Sequence, residues 1–256
     1  MNYCDADADL TDVVRHLRNK SMGIYPVRWS PVLRIVERLF GGTTRLRNRG
    51  LRKAGWQAVV SEQIVEGALI LRHLRPGDRK VLDFGGYESL LPLTISALGH
   101  DVTVLDQRAY PFKAPRLRSV TADLFGEHPL APDSFDLVFS VSTIEHLGLG
   151  GYRDAQTQDG DRLGVERLWR LVRPGGRLMA TVPAGRPGVR RGYRTYDEAR
   201  LRNVFPPIST TSWFSKDGRF GTWSPSSAEA VSDLTYREPE GPLPVEAVAF
   251  VICEKP

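Results

Sequence analysis

The chain of 256 residues contains only two cysteines, Cys4 and Cys253, which lie at opposite ends of the sequence. A disulfide framework or a multi-cysteine zinc site needs more cysteines than this, so both classes are excluded. There is no apolar run near the roughly 18 residues that a membrane-spanning helix requires. The acidic N-terminus also lacks the basic-then-apolar order of a signal peptide. We therefore expect a cytoplasmic protein with no membrane partner.

Acidic residues are nearly absent from residues 13–53, which carry eleven Lys or Arg and the single acid Glu37. The whole chain has a net charge of only +5, so the remaining residues are acidic on balance. A basic segment on a mildly acidic body favours an anionic partner, such as an anionic substrate or a nucleic acid. A solvated basic face on two surface helices is the alternative interpretation.

The first 53 residues have the pattern of a helical extension. Ser30-Pro31 is a typical helix start, and Gly41-Gly42 ends the apolar periodicity that follows. A second apolar stripe, over 56–71, predicts a longer helix that leads into the core. We therefore divide the chain into a basic helical N-terminal extension or lid (1–53) and a core domain (54–256).

Strand and helix patterns alternate from Lys80 onward, which is typical of a parallel sheet with helices on both faces. Residues 231–237 and 245–254 instead alternate like two paired antiparallel strands. We therefore predict an α/β fold with a seven-stranded, mostly parallel sheet and an antiparallel C-terminal hairpin. The predicted strands of the parallel part are 81–84, 102–105, 118–121, 135–141 and 177–182, and the predicted helices are 88–98, 162–172 and 196–204.

Three acidic residues stand at or just after the ends of the first three strands: Asp83, Asp106 and Asp123. A parallel α/β sheet binds its ligands at this carboxyl edge. Gly85-Gly86 follows Asp83, and the absence of β-carbons there permits close approach of the backbone to a ligand. The following residues do not fit the G-x-G-x-x-G spacing of dinucleotide-binding proteins. The edge is therefore predicted to bind a different ligand.

These features together resemble the class I, Rossmann-like S-adenosylmethionine-dependent methyltransferases of small-molecule type. The resemblance covers the chain from Lys80 to the C-terminus. It rests on the aspartate-glycine turn, the acids after the second and third strands, the strand 134–139, and the phrase Leu-Val-Arg-Pro-Gly-Gly-Arg-Leu at 171–178. It implies S-adenosyl-L-methionine as the cofactor and methyl transfer as the activity.

The cofactor site predicted in this way has an atypical turn. On an adenosyl ligand, Asp106 is placed to accept both ribose hydroxyls, and Asp123 to accept the adenine amino group while Leu124 packs on the ring. Tyr87 and Ser89 stand where the family has its second and third glycines, which leaves open a catalytically degenerate binding protein. The predicted cofactor-binding residues are Asp83, Phe84, Gly85, Gly86, Tyr87, Asp106, Gln107, Asp123, Leu124, Ser140, Val141 and Ser142.

The segment after the fourth strand ends in Glu145-His146 and borders donor and acceptor in many small-molecule methyltransferases. A histidine can remove the proton of an acceptor hydroxyl or ammonium. We therefore predict His146 as a general base and Glu145 as the second catalytic residue. The alternative is that His146 only packs on the cofactor or caps the loop. Ubiquinone-pathway O-methyltransferases carry a further acid where this chain has Ser142, so we predict no metal.

The connecting loops supply the candidates for binding the acceptor, because their arginines suit an anion and their aromatic side chains suit a pocket wall. These residues are Tyr110, Arg190, Arg191, Arg194, Tyr196 and Trp213. We expect methylation of oxygen or nitrogen on a small metabolite, with an anion or a specialised biosynthetic intermediate as options.

An RNA or DNA methyltransferase that binds phosphates through the basic residues of 45–53 is the alternative function. It is less favoured because the segment after the fourth strand lacks the Pro-Pro-Tyr-like sequence with which base-modifying relatives hold a base. The sequence leaves open the identity of the acceptor and the oligomeric state.

Overall fold

A computed structural model of the chain describes residues 23–25, 57–59, 62–151, 156–190, 192–216, 223–234 and 246–256. Apart from 23–25, the predicted extension 1–53 lies outside the described residues. Strands β1 (Gly23–Tyr25) and β2 (Gln57–Val59) pair antiparallel. The helix predicted over 56–71 is therefore wrong at 57–59, because pairing with β1 overrides the helical periodicity there. Helix α1 (Gln63–Arg72) accounts for the rest of that stripe.

Five parallel strands form the centre of an eight-stranded sheet, in the order β5-β4-β3-β6-β7. The chain runs outward from β3 through β4 to β5 and then returns to the other side of β3, so the strand order reverses between β3 and β6. The strands β3, β6 and β7 are mostly buried apolar runs, as expected for parallel strands covered on both faces. Their bounds are β3 (Lys80–Phe84), β4 (Asp101–Asp106), β5 (Leu117–Thr121), β6 (Phe135–Val141) and β7 (Val172–Pro183).

Helices cover both faces of the sheet, as predicted. Side chains of α1 and α2 (Leu91–Ala97) share one apolar layer with the sheet, and side chains of α3 (Gly160–Leu171), α4 (Glu198–Val204) and α5 (Ala228–Ser232) share the other. None of the helices in the described ranges is both long enough and apolar enough to span a membrane. Two 3₁₀ turns, Gly86–Glu88 and Ile144–His146, follow β3 and β6.

The antiparallel part of the sheet is confirmed, but its strands are not all where the sequence predicts them. Strand β12 (Ala247–Glu254) pairs with β7 and with β10 (Thr210–Lys216), and β11 (Trp223–Ser226) adds an eighth strand at the edge. The strand predicted at 231–237 is wrong where the structure describes it. The Ser227 side chain accepts the backbone N–H of Ala230 and starts α5 there.

A small hairpin stands apart from the main sheet, between β7 and α4. Its strands are β8 (Gly188–Arg190) and β9 (Tyr193–Thr195), which pair antiparallel. The hairpin turn brings Gly192 to the loop that follows β6, where its carbonyl oxygen contacts His146. The hairpin therefore takes part in shaping the carboxyl edge of the parallel strands.

Truncation of a central core residue tests this arrangement. Phe139 is fully buried in β6, between β3 and β7. We expect Phe139→Ala to lower the free energy of unfolding by about 3–5 kcal/mol, because it leaves a cavity between packed layers. Val189 in β8 is 64% exposed, so the control Val189→Ala should change that free energy by less than about 0.5 kcal/mol. Urea unfolding measures both, and equal losses would contradict the assigned core.

Candidate functional site

A cavity of about 730 Å³ opens at the carboxyl edge of the parallel strands, where the strand order reverses. Reversal points of this kind are where open α/β sheets bind ligands, and the volume suits a small organic molecule. The structure brings most of the predicted cofactor residues and the predicted base together in its lining. These residues are Asp83, Phe84, Gly85, Gly86, Asp106, Gln107, Asp123, Leu124, Val141, Ser142 and His146.

The two glycines after β3 are required by contacts within the protein itself. Gly85 has a φ of +79°, and a β-carbon there would lie 2.8 Å from Cβ of Thr143 in the loop after β6. A β-carbon on Gly86 would lie 2.6 Å from Cγ of Asp83. Both positions therefore exclude other residues. The glycine turn packs two loops of the site against each other and makes room for the Asp83 carboxylate.

Asp83 is the most constrained acid in the lining. Its side chain is buried, and Oδ2 has no hydrogen-bond partner among the described residues. Burial raises the pKa of this carboxyl well above its usual range, and the charge of nearby Asp106 raises it further. A buried carboxylate without a partner costs free energy unless a donor or a cation meets it. The unpartnered Oδ2 of Asp83 therefore indicates a ligand that carries a hydrogen-bond donor or a positive charge.

Asp106 holds the turn after β3 through its carboxylate. Oδ2 accepts the backbone N–H of Tyr87 at 3.2 Å, and Oδ1 accepts that of Arg108 at 2.9 Å. The guanidinium carbon of Arg108 lies 3.9 Å from the centre of the Tyr87 ring, in a cation–π contact. Tyr87 is not among the residues that line the cavity, and its contact with the cofactor stays a prediction. Its ring packs against Arg108.

The ends of β5 and β6 contribute unequally to the cavity. Asp123 lines it and accepts the backbone N–H of Phe125 at 2.9 Å, while Leu124 beside it is buried. Ser140 does not line it, because the side chain is fully buried and its hydroxyl donates to the carbonyl of Phe84 at 3.2 Å. The side chain of Ser140 joins β6 to β3, and its contact with the cofactor stays a prediction.

His146 lines the cavity in a defined tautomer. Its Nδ1 lies 2.5 Å from the carbonyl oxygen of Gly192, which can only accept a hydrogen bond, so Nδ1 carries the proton of the neutral ring. The other nitrogen, Nε2, is then the proton acceptor and lies 3.9 Å from Oε1 of Glu145. Glu145 itself is buried behind the lining. This tautomer is the one that a general base at the cavity wall requires.

Glu66 of α1 contributes to the site, although no sequence motif identified it. Its side chain is fully buried and accepts a hydrogen bond from the Ser142 hydroxyl at 2.5 Å. Burial raises its pKa to about 8, and burial also raises the pKa of Glu145. Glu66 lies on the same face of α1 as buried Leu69 and Ile70. A carboxylate inside an apolar stripe was the signal that could have identified it.

Arg194 and Tyr196 are not among the residues that line the cavity, and their roles in binding the acceptor stay predictions. Arg194 is buried and donates to the carbonyls of Leu147, Thr157 and Gln158 at 2.5, 3.2 and 3.1 Å. The Tyr196 hydroxyl donates to Asp161 at 2.9 Å. Arg194 therefore holds the loop after β6 against the segment that leads into α3, and Tyr196 is bonded to α3 itself.

Tyr110 and Trp213 are also placed away from the cavity lining. The Tyr110 hydroxyl donates to the carbonyl of Ser89 at 2.7 Å, and Trp213 is buried in β10 within the core. Their contacts with the acceptor stay predictions. Arg191 and the side chain of Arg190 lie outside what the structure describes. Within the described ranges, no group of three or more His, Cys, Asp or Glu could hold a metal ion.

The lining includes residues that the sequence analysis did not single out. They come mainly from α1 and from the segment between β3 and α2, whose approach to the edge depends on tertiary packing. These residues include Gln63, Ile64, Gly67, Glu88, Ser89, Leu90, Leu91, Thr94, Arg108, Thr143 and Leu147.

The raised pKa of Glu66 predicts a pH dependence of stability. The folded protein keeps this proton up to about pH 8, whereas an unfolded glutamate loses it in acidic solution. Between those limits the folded state binds more protons, so the free energy of unfolding falls as the pH rises and levels off above about pH 8. Glu66→Gln should weaken this pH dependence of the free energy of unfolding. Urea unfolding at a series of pH values measures it. An unchanged slope would contradict the buried carboxyl.

Comparison with known proteins agrees with this architecture. A family model described as "Caenorhabditis protein of unknown function, DUF268" matches residues 107–223. No curated protein matches the sequence. The structure of Burkholderia thailandensis 1,6-didemethyltoxoflavin-N1-methyltransferase, with bound 1,6-didemethyltoxoflavin and S-adenosylhomocysteine, is similar with a TM-score of 0.50 at 17% identity, over 91% of this chain and 94% of that one.

Two further solved structures differ in how much of their length is matched. A Bacillus halodurans protein assigned as a methyltransferase has a TM-score of 0.51 at 12% identity, over 75% of this chain and 99% of that one. The Haemonchus contortus phosphoethanolamine N-methyltransferase 2 has a TM-score of 0.46 at 18% identity, over 61% of this chain and only 39% of that one. The matches with TM-scores of 0.50 and 0.51 show that the chain has the Rossmann-like fold of S-adenosylmethionine-dependent methyltransferases.

Proposed function

We propose that the chain is an S-adenosylmethionine-dependent methyltransferase that acts on a small molecule. The observation that carries the proposal is the cavity at the point of strand reversal, with the buried, unpartnered carboxylate oxygen of Asp83 beside Asp106. The fold is that of methyltransferases, and the similar Burkholderia thailandensis enzyme was solved with S-adenosylhomocysteine. We also propose that the methyl group is transferred to an oxygen or a nitrogen atom of that molecule.

The side chains present fit S-adenosyl-L-methionine. Asp106 would accept the ribose hydroxyls, and Asp123 with Leu124 would hold the adenine. Asp83 would face the positively charged end of the cofactor. That charge would supply the partner that the buried Oδ2 of Asp83 lacks. When bound, this cofactor supplies a methyl group on a cationic sulfur.

The atypical Tyr87 supports an enzyme rather than a degenerate binding protein. Its ring packs on Arg108 and leaves the cavity open, and only its backbone N–H is used, to hold Asp106. The residue that replaces a glycine of the family therefore does not fill the site. The alternative of a nucleic-acid substrate rests on the basic residues of 45–53, which lie outside the described residues.

His146 would take the proton of the acceptor on Nε2. Gly192 holds the ring by its carbonyl, and the buried carboxyl of Glu145 lies beside the accepting nitrogen. Glu145 then acts as a positioning residue, because it reaches the cavity only through His146. Alignment of the acceptor with the methyl group supplies the other part of the rate enhancement.

Removal of the ribose acid tests the cofactor site. We expect Asp106→Ala to weaken S-adenosylmethionine binding by about tenfold or more, because it removes two charge-assisted hydrogen bonds. Asp101 stands at the opposite end of the same strand, where it pairs with Arg116 on the surface. The control Asp101→Ala should therefore bind the cofactor like the native chain. Isothermal titration calorimetry measures both affinities, and equal affinities for the two variants would count against the ribose assignment.

Removal of the histidine tests the base. We expect His146→Ala to lower turnover by about 10²–10⁴-fold, the usual contribution of a positioned base, while cofactor affinity stays the same. His128 does not line the cavity, so the control His128→Ala should retain turnover. The assay follows S-adenosylhomocysteine release with an acceptor selected from a panel of amines and alcohols. Native turnover in His146→Ala would remove the proposed base.

A further inference from the structure

The cavity lining carries a surplus of carboxylates over cations. Among the described residues, the acids that line it are Asp83, Glu88, Asp106 and Asp123. Arg108 is the one arginine or lysine in that lining, and it lies 3.6 Å from carboxylate oxygens of both Glu88 and Asp106. Its charge is therefore already balanced by neighbours. An anionic acceptor would enter a negative field, whereas a cationic one would be attracted.

Two more carboxyl groups lie directly behind the lining on the β6 side. Glu66 accepts the hydroxyl of Ser142, and Glu145 lies beside Nε2 of His146, and both Ser142 and His146 line the cavity. Since β6 is on the opposite side of β3 from β4, this end lies away from Asp106. It is therefore the end left for an acceptor when the ribose lies at Asp106.

Both buried carboxyl groups have an oxygen that nothing in the described chain satisfies. Oε2 of Glu66 and Oε2 of Glu145 lack hydrogen-bond partners there, and the two residues are 0% and 1% exposed. Two such atoms at one cavity end cost free energy that a structural role alone does not recover. A positively charged ligand at this end of the cavity would be attracted to both carboxyl groups through Ser142 and His146, which separate them from the cavity.

We propose that the acceptor carries a protonated amine, and that Glu66 and Glu145 supply its counter-charge through the β6 end of the cavity. This deepens the proposed function and rests on it. The expected substrate class is a small primary or secondary amine, and an anionic metabolite is disfavoured. Arg194, the described arginine predicted to hold an anion, is occupied by backbone carbonyls.

Binding of an amine should release protons. Burial raises the pKa of Glu66 to about 8 and the pKa of Glu145 well above its usual range, and the charge of Glu62 raises both further. An ammonium beside them stabilises their charged forms and lowers those pKa values. His146, which lines the cavity, and the buried Tyr196 are further titratable groups close to Glu145. A purely structural role of the two glutamates would give no proton release with a bound amine.

The test uses three probes of similar size and different charge. Benzylamine, benzyl alcohol and benzoate are each titrated by calorimetry into the full chain, both alone and saturated with S-adenosylhomocysteine. We expect benzylamine to bind about tenfold or more tightly than either analogue. Measurement in buffers of different ionisation enthalpy should show proton release at neutral pH. Absence of benzylamine binding, or equal or tighter binding of benzoate, would overturn the proposal.

Variants assign the binding to the two glutamates. Glu66→Gln keeps an oxygen that can accept the Ser142 hydroxyl, and we expect it to weaken benzylamine binding by about tenfold and to reduce proton release. Glu145→Gln should act in the same direction. The control Glu166→Gln removes a surface carboxylate of α3, which pairs with Arg162, and should bind benzylamine normally. Unchanged benzylamine affinity in both Glu66→Gln and Glu145→Gln would overturn the assignment.

Failure of the amine proposal can be told apart from failure of the proposed function. If S-adenosylhomocysteine binds and benzylamine does not, the cofactor site stands and the amine site is wrong. If S-adenosylhomocysteine does not bind, the methyltransferase function is contradicted, and the titrations of the chain alone still decide whether the carboxylates bind an amine.

Discussion

The geometry of the cavity depends on one close approach, between the loop that follows β3 and the loop that follows β6. Gly85 lies so close to Thr143 that a β-carbon at position 85 would collide with the Thr143 side chain. This contact fixes the distance between the strand that carries Asp83 and the loop that carries His146. The predicted cofactor end and the predicted acceptor end are thereby held side by side.

Buried polar groups outside the cavity maintain that loop. Arg194 ties the carbonyl of Leu147 to those of Thr157 and Gln158, and Asp161 faces both Arg194 and Tyr196. A buried arginine with several carbonyl acceptors is costly to disturb. Arg194, one of the arginines predicted to bind an anion, therefore stabilises the loop that presents His146, and the lining itself carries mostly acidic charged residues.

The sequence predicted Asp83, Asp106 and Asp123 as neighbours because parallel strands bring their carboxyl ends to one edge. It did not predict Glu66, whose place depends on how α1 packs against β6, nor the burial of Arg194. The hairpin strand placed at 231–237 was wrong, because the partner of β12 is chosen by long-range pairing with β10, which local alternation does not encode. Local patterns thus identified the edge of the sheet, and tertiary contacts decided which loop residues face it.

A crystal structure of the full chain with S-adenosylhomocysteine would locate both halves of the site at once. We expect the ribose to lie on Asp106, the amino-acid end to meet Asp83, and the sulfur to face the β6 end, with His146, Glu66 and Glu145 beyond it. Ligand density outside the cavity, or a ribose at the β6 end, would contradict the assignment of both halves of the site.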